Sequence, residues 1–399
     1  MKKLRVGVLF GGRSGEHEVS LLSAASVLNA IDKTKYEVVP IGITKEGRWV
    51  TAAHAERLLK GHPPEHEARH LRAGDPEATS AAAVLARGEG VLVPPVPPAP
   101  GEERPSLVPF EADADQVHGT LHPVDVDIIF PVLHGTFGED GTIQGLLELA
   151  DIAYVGAGVL GSAAGMDKDV MKRLFRDAGL PIVKHLTILR SDWREKPKQV
   201  RNQIESKLKY PVFLKPANLG SSVGISKVHD SGELAAAMDE ASRFDRKLVV
   251  EEGVGGKKGK AREIECSVLG NDQPIASVAG EIVPVKEFYD YSAKYLVEGS
   301  ESIIPAKIGK AKQKEVQRLA VAAFRAVDCA GMARVDFLMD PRSGKMYVNE
   351  INTIPGFTSI SMYPKMWEAT GVSYPELMDR LIQLGLERHA DKKQNQYSR

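Results

Sequence analysis

The chain has little cysteine, almost no net charge and no long apolar run. Cys266 and Cys329 are its only two cysteines in 399 residues. That excludes a disulfide framework, and their separation excludes a cysteine metal knuckle, which suits a reducing cytosol. The formal net charge is −1, so there is no electrostatic argument for a nucleic acid or a membrane surface as partner. The basic start Met1-Lys2-Lys3-Leu4-Arg5 leads into an apolar run, Val6 to Phe10, that is too short for a signal peptide. No stretch approaches a membrane span. The dinucleotide fingerprint G-x-G-x-x-G is missing after the first strand, where Gly11-Gly12-x-x-Gly15 stands instead. The Walker A phosphate loop is missing too. What remains is the expectation of a soluble, cytoplasmic protein of two or three domains, 43% hydrophobic and 26% charged.

Leu4 to Phe10 reads as a buried parallel strand, with a helix from about Glu18 to Ile31 and a second strand from Tyr36 to Ile43. Strand, glycine turn, helix and strand begin a doubly wound α/β domain. Residues 51–122 read as an insertion on it, with a polyproline-like run, Pro94 to Pro100, passing into charged linker. Order returns at Val126–Phe130. Helices are expected over 142–150, 167–178, 231–242 and 310–327, and strands at 211–216, up to 228, and at 247–252. Ser373 and Glu376 have the spacing of a capping box opening the last helix. From about residue 168, hairpins and helices replace strict βαβ alternation, which predicts α+β lobes after a Rossmann-like domain. The expected division is 1–156, 157–251 and 252–399.

The densest chemistry is a hairpin. Ala333-Arg334-Val335-Asp336-Phe337 and Val348-Asn349-Glu350-Ile351-Asn352-Thr353 flank the turn-forming run Asp340-Pro341-Arg342-Ser343-Gly344-Lys345. Side chains alternate along a strand, so Arg334 shares a face with Asp336, and Glu350 with Asn352. If the faces coincide, oxygen donors suited to Mg²⁺ converge beside a guanidinium that could stabilise developing charge. A solvated charged face is the other reading. Lys215, closing a strand, precedes Gly220-Ser221-Ser222-Val223-Gly224, whose amides could form an anion nest or a plain turn. Lys168 is a second cation near a helix start. Glu251 and Glu252 end a strand and could bind a ribose or adenine, or face solvent. Tyr289 to Tyr295 has the character of a lid or of a packed surface loop. His134 ends a strand, where open α/β sheets hold ligands. After the hairpin, the Gly356 amide could face an oxyanion and Ser361 a carboxylate.

These pieces, in this order, resemble the ATP-grasp superfamily and most closely its D-alanine–D-alanine ligase family. The motifs are Gly11-Gly12-x-Ser14-x-Glu16-x-Glu18-Val19-Ser20, His134-Gly135 with Gly138-Glu139-Asp140-Gly141, Met166-Asp167-Lys168, Lys215-Pro216 with Gly220-Ser221-Ser222-Val223-Gly224, Tyr289-Asp290-Tyr291 with Lys294-Tyr295, and Arg334-x-Asp336 with Glu350-x-Asn352-Thr353-x-Pro355-Gly356. The resemblance covers nearly the whole chain outside 51–122. It implies an ATP-grasp fold: a Rossmann-like domain and two α+β lobes that sandwich ATP. It implies ATP contacts at Lys168, Lys215, Glu251, Glu252, Val254 and Glu263, the placement of Val254 being loosened by the glycine-lysine run 255–260. Asp336, Glu350 and Asn352 would hold two Mg²⁺ or Mn²⁺ ions. Glu16 would bind the first D-alanine's ammonium, with His134 nearby. Arg334 and Gly356 would stabilise the oxyanion. Ser361, Met362 and Lys294 would receive the second D-alanine. Glu16, Ser221 and Tyr295 would hold the lid shut. A homodimer is implied as well.

The implied reaction phosphorylates one D-alanine and lets the amine of another displace phosphate, for peptidoglycan. A ligase making D-alanyl-D-lactate is the nearest competing expectation, and Tyr295 with Lys294 favours an amine acceptor. Another ATP-grasp carboxylate–amine ligase, a catalytically dead nucleotide-binding regulator and a Rossmann oxidoreductase complete the alternatives. The intact set of ligands and the missing dinucleotide fingerprint weigh against the last two.

Overall fold

The computed structural model describes residues 3–51, 89–97, 105–109, 123–220, 223–256, 259–283 and 301–396. Among them the strands fall into three sheets that follow one another along the chain. The first contains β1 (Leu4–Gly11), β2 (Tyr36–Ile43), β3 (Trp49–Thr51), β4 (Glu89–Leu92), β5 (Ser106–Pro109), β6 (Val124–Asp125) and β7 (Ile128–Val132). Their order is β6-β5-β4-β3-β2-β1-β7. β1 is parallel to both neighbours, with Val8 opposite Pro40 and Phe130. A strand covered on both faces must be apolar throughout, and Val6, Val8, Leu9 and Phe10 are fully buried.

The chain leaves β1 at Gly11 with φ +89°, where a Cβ would sit 2.2 Å from the Ile43 carbonyl oxygen. Only glycine fits there. Helix α1 (His17–Ala30) follows. Ser20 on α1 accepts the Gly11 N–H at 2.8 Å and donates to the Val132 carbonyl, pinning the helix to the ends of β1 and β7. Two strands, β4 and β5, lie within the stretch expected to be an insertion. They extend the sheet in antiparallel pairing, and their Val91 and Leu107 share a core with Leu9 and Ile41. That part of 51–122 therefore builds the sheet instead of hanging from it.

Helices α2 (Thr142–Leu149), α3 (Val159–Met166) and α4 (Lys168–Asp177) lead to the second sheet. Asp167 caps α4 by accepting the N–H groups of Asp169 and Val170, both at 3.1 Å. The second sheet contains β8 (His185–Leu189), β9 (Val212–Pro216), β10 (Ser226–Val228) and β11 (Lys247–Glu252), in the order β10-β9-β11-β8. It is antiparallel throughout. Helices α5 (Arg190–Glu195), α6 (Pro197–Lys207) and α7 (Leu234–Ala241) cover it, burying Val200, Ile204, Leu234 and Met238 against Val212, Leu214 and Val250.

The third sheet contains β12 (Arg262–Gly270), β13 (Ile275–Val283), β14 (Glu301–Ile303), β15 (Gly331–Met339) and β16 (Met346–Asn352), ordered β14-β13-β12-β15-β16. Helix α8 (Gly309–Ala326) turns Val316, Leu319, Ala320, Ala323 and Phe324 into the core over β15 and β16, as their helical spacing requires. Two helices close the chain: α9 (Met362–Glu368) and α10 (Tyr374–Lys392). Leu377 and Leu381 of α10 share a core with Phe10 and Phe130, so the last helix ties the third sheet to the first. The expected capping box is not formed. Ser373 makes no side-chain cap bond, and Glu376 instead pairs with Arg380 at 2.7 Å. Pro375 in the first turn already fixes the backbone for helix. No described helix is long and apolar enough to cross a membrane.

Candidate active site

The hairpin forms as expected. Asp340 nucleates its turn, its carboxylate accepting the N–H groups of Arg342 at 2.8 Å and Ser343 at 3.2 Å. The register sets Arg334 opposite Asn352 and Asp336 opposite Glu350. The ladder then shifts: Phe337 pairs with Val348, which leaves Asn349 as the extra residue of a bulge. On the other side β12 sets Glu265 opposite Asp336. Glu265, Asp336 and Glu350 therefore stand abreast on three neighbouring strands. The Arg334 guanidinium grips Asp336 with both arms, Nε to Oδ1 at 2.7 Å and Nη2 to Oδ2 at 2.7 Å. Asn352 adds its amide nitrogen to Asp336 Oδ2 at 3.0 Å.

Behind the hairpin lies a buried charge cluster. Glu251 receives Lys172 at 2.9 Å on Oε1 and Lys215 at 2.8 Å on Oε2. The bulge brings Asn349 to both lysines: its carbonyl lies 3.3 Å from Lys172 Nζ and its side-chain oxygen 3.2 Å from Lys215 Nζ. Burial alone would raise the Glu251 carboxyl, but the two ammonium groups bring it down to about 2. The lysines diverge. Burial pulls Lys172 down against the attraction of Glu251. Lys215 is desolvated too, yet ends above its ordinary value, because Glu350 and Glu263 add to Glu251 around it. Lys172 is the one enclosed on all sides.

An open cleft runs between the second and third sheets. Lys215, Glu251, Glu252, Val254 and Glu263 all line it, as do Glu265, Asp336 and Glu350. Glu252 also accepts the Lys209 N–H at 2.9 Å. Lys168 opens on a smaller neighbouring cavity shared with Glu139, Gly220, Glu350 and Asn352, and its Nζ donates to the Leu219 carbonyl at 2.7 Å. Glu350 lines both cavities and so marks their junction.

The first domain supplies the far wall. Glu16 stands at the start of α1 between two glycines: a Cβ on Gly135 would meet Glu16 Oε1 at 3.0 Å, and one on Gly220 at 2.6 Å. His134 is 4% exposed. Its Nδ1 faces the Ile354 carbonyl at 3.1 Å and its Nε2 faces Ser23 Oγ at 3.1 Å. A carbonyl only accepts, so Nδ1 carries the hydrogen and Nε2 accepts from Ser23. Burial lowers the His134 pKa, in keeping with a neutral ring. Glu139 bridges the same two segments, accepting the Gly135 N–H at 2.8 Å and the Ile354 N–H at 3.1 Å. Burial, with Glu16 nearby, raises its carboxyl to about 8. Gly356 abuts Ser361, whose Oγ would lie 2.8 Å from a Cβ at that position. Ser361 Oγ accepts the Thr358 N–H at 3.0 Å.

His134 has both ring nitrogens engaged by the protein, one toward the loop after β16 and one toward α1. Met362 is 5% exposed and packs its side chain with Ile282 and Met366. Ser221, Lys294 and Tyr295 lie outside the described residues. Four residues with no role assigned from sequence prove to be structural to the site: Lys172, Glu139, Glu265 and Ser23. Lys172 follows Lys168 by one helical turn on α4, a spacing that could have marked it. Glu139 lay inside a quoted motif.

Among the described residues no group of three or more His, Cys, Asp or Glu side chains is drawn together closely enough to hold an ion by itself. Asp336, Glu350 and Asn352 are nonetheless all oxygen donors on one patch. They fit a Mg²⁺-type ion that takes its remaining ligands from water and phosphate.

Comparison with known proteins agrees with this geometry. Residues 5–157 match the family model described as the D-ala D-ala ligase N-terminus, and residues 174–383 match that of its C-terminus. A D-alanine–D-alanine ligase of Heliobacterium modesticaldum is 49% identical over 99% of this chain and 98% of its own. D-alanine–D-alanine ligase A of Escherichia coli is 47% identical over 98% of each chain. Among solved structures, the D-alanine–D-alanine ligase of Coxiella burnetii superposes with a TM-score of 0.78 at 36% identity, covering 99% of this chain and 97% of that one. A D-Ala:D-Ser ligase of Enterococcus faecalis also gives 0.78, at 35% identity over 96% of this chain and 100% of that one. With both family models matched in order and these relatives covered almost end to end, the chain belongs to the D-alanine–D-alanine ligase family.

Proposed function

We propose that the protein joins two molecules of D-alanine, splitting ATP to ADP and phosphate, by way of D-alanyl phosphate. The observation that carries this reading is the junction at Glu350. A cleft with Lys215 and Glu251 in its wall meets a second cavity bounded by Glu139, Gly220 and Asn352 there. A nucleotide in the first and an amino acid in the second would bring a γ-phosphoryl group and a carboxylate together beside it.

A free carboxylate is a poor electrophile. Transfer of the γ-phosphoryl to a carboxylate oxygen of the first D-alanine forms the acyl-phosphate C–O–P link and breaks the bond to ADP. The amine of the second D-alanine then attacks the carbonyl carbon. The C–N bond forms, the C–O bond breaks, phosphate leaves, and the amine gives up a proton. Lys168 and Lys215 clamp the phosphates. Asp336, Glu350 and Asn352 would hold two Mg²⁺ or Mn²⁺ ions, which when bound neutralise charge on the transferring phosphoryl. Arg334 and the Gly356 N–H meet the developing oxyanion. Glu16 takes the first ammonium, with His134 holding the loop behind it. Ser361 and Lys294 take the second carboxylate. Ser221 and Tyr295, with Glu16, hold a lid that keeps water from the acyl phosphate. The resemblance further implies a cytoplasmic homodimer that supplies the terminal dipeptide of peptidoglycan.

Phosphate release with D-alanine, L-alanine, D-serine and D-lactate, each with and without Mg²⁺, tests the reading. D-alanine alone should support full turnover, and only with the metal. Faster release with D-alanine plus D-serine or D-lactate, accompanied by the mixed product, would overturn the assigned acceptor.

A further inference from the structure

Arg334 Nε carries one hydrogen, and two carboxylates compete for it. Nε donates to Asp336 Oδ1 at 2.7 Å. Glu265 Oε2 lies 3.2 Å from the same nitrogen. A strong hydrogen bond needs a near-linear donor, so Nε can serve only one of the two well at a time. Glu265 is built into its place: it is 7% exposed, on the strand directly beside Asp336, in register with it. A buried carboxylate is costly unless it has work to do against a positive charge.

The proposed metal reading gives the oxygens of Asp336 a second claimant. The Arg334 fork and the Asn352 amide already take three of the roughly four lone-pair sites of Asp336, and a divalent cation repels the guanidinium. Arg334 must therefore release Asp336 when a cation engages it, yet stay beside the site as an oxyanion donor. We propose that Glu265 is a positioning residue that takes over the Arg334 guanidinium when a divalent cation engages Asp336. The move is small, because Nε and Oε2 are already within ion-pair distance. It needs a side-chain rotation and no backbone shift, since β12 and β15 are paired along their length. Without Glu265, releasing Asp336 would leave a partly buried guanidinium short of a carboxylate, and that penalty would fall on metal binding. The inference rests on the metal reading of Asp336, Glu350 and Asn352.

The test is Mn²⁺ binding by the full-length protein with a non-hydrolysable ATP analogue, followed by electron paramagnetic resonance of free Mn²⁺. It compares wild type, Glu265→Gln, Arg334→Met and the double variant, each checked by thermal melting. Glu265→Gln should weaken Mn²⁺ binding by about tenfold in the Arg334 background and by less than about twofold in the Arg334→Met background, a coupling of the kind a double-mutant cycle resolves. Equal weakening in both backgrounds would overturn the proposal, since Glu265 would then act as a ligand or as a plain negative charge. Unchanged binding in Glu265→Gln would overturn it too. If Arg334→Met does not fold, Arg334→Gln gives the same comparison, because a neutral amide leaves Glu265 no positive charge to take over. Wild-type binding that Glu350→Ala removes, with Glu265→Gln unaffected, sinks the inference alone. Wild type that binds no Mn²⁺ sinks the metal reading and the inference with it.

Discussion

Two charged clusters meet at β16, and they are wired differently. In the Lys172–Glu251–Lys215 cluster, side-chain exposures are 1%, 2% and 9%, and each carboxylate oxygen has its own lysine. In the Glu265–Arg334–Asp336 cluster the exposures are 10%, 18% and 14%, and one guanidinium nitrogen lies between two carboxylates. The first is deep, with an ion pair at each carboxylate oxygen, so its charges are fixed by the fold. The second borders the cleft and sets one guanidinium nitrogen within reach of two carboxylates, so its pairing can be exchanged. On the proposed reading, the first gives a nucleotide a constant field, whereas the second lets a metal ligand change partners.

Removing the carboxylate that stands opposite Asp336 beside the exchangeable cluster should have the largest effect. Glu350→Ala is expected to lower ATP-dependent turnover by more than about 100-fold while leaving the melting temperature near wild type. Phosphate release that survives in that variant would remove Glu350 from the chemistry. Breaking the fixed cluster should instead cost stability. Glu251→Gln leaves two buried ammonium groups without their carboxylate, and urea unfolding should show a loss of roughly 3–5 kcal/mol. Lys172, already lowered by burial, would then shed its proton more readily. The unfolded chain would hold more protons than the folded one, so the variant's stability should recover as pH rises.

Acid should separate two buried carboxylates in wild type. Glu251 titrates at about 2 when folded, against its ordinary 4.5. Its contribution is present above 4.5 and is lost as pH falls toward 2, a change of roughly 3 kcal/mol. Glu139 runs the other way, raised to about 8. Its contribution is present below 4.5 and is lost as pH climbs toward 8. Glu139→Gln should therefore flatten stability against pH across that upper window and leave the acid limb alone. The smallest effect is expected at a site with no cluster at all. Ser373→Ala should change unfolding free energy by less than about 0.5 kcal/mol, because the cap its spacing suggested is not made.

The hairpin, its turn and the shared face of Arg334 and Asp336 were legible in the sequence, because period-two alternation and turn residues are local signals. So were the apolar β1 and the inward face of α8. The bulge at Asn349 was not, since an extra residue in a strand leaves no mark in composition. Its consequence, an Asn349 that serves both Lys172 and Lys215, depends on three elements meeting. Glu265 was hidden for a related reason: its partner Asp336 lies on a neighbouring strand far along the chain, and only register aligns them. The burial of Lys172 and Glu139 left no local mark in the sequence, because burial is a property of packing. The strands β4 and β5 were obscured by a proline-rich, low-signal setting.

The central claim is that a D-alanine carboxylate is activated by phosphoryl transfer and then captured by a second D-alanine. D-alanine labelled with ¹⁸O in its carboxylate tests this most directly, with the dipeptide and the released phosphate both read by mass spectrometry. The account predicts D-alanyl-D-alanine and phosphate that carries one ¹⁸O atom for each dipeptide formed. Dipeptide accompanied by unlabelled phosphate, or labelled phosphate with no dipeptide, would contradict it.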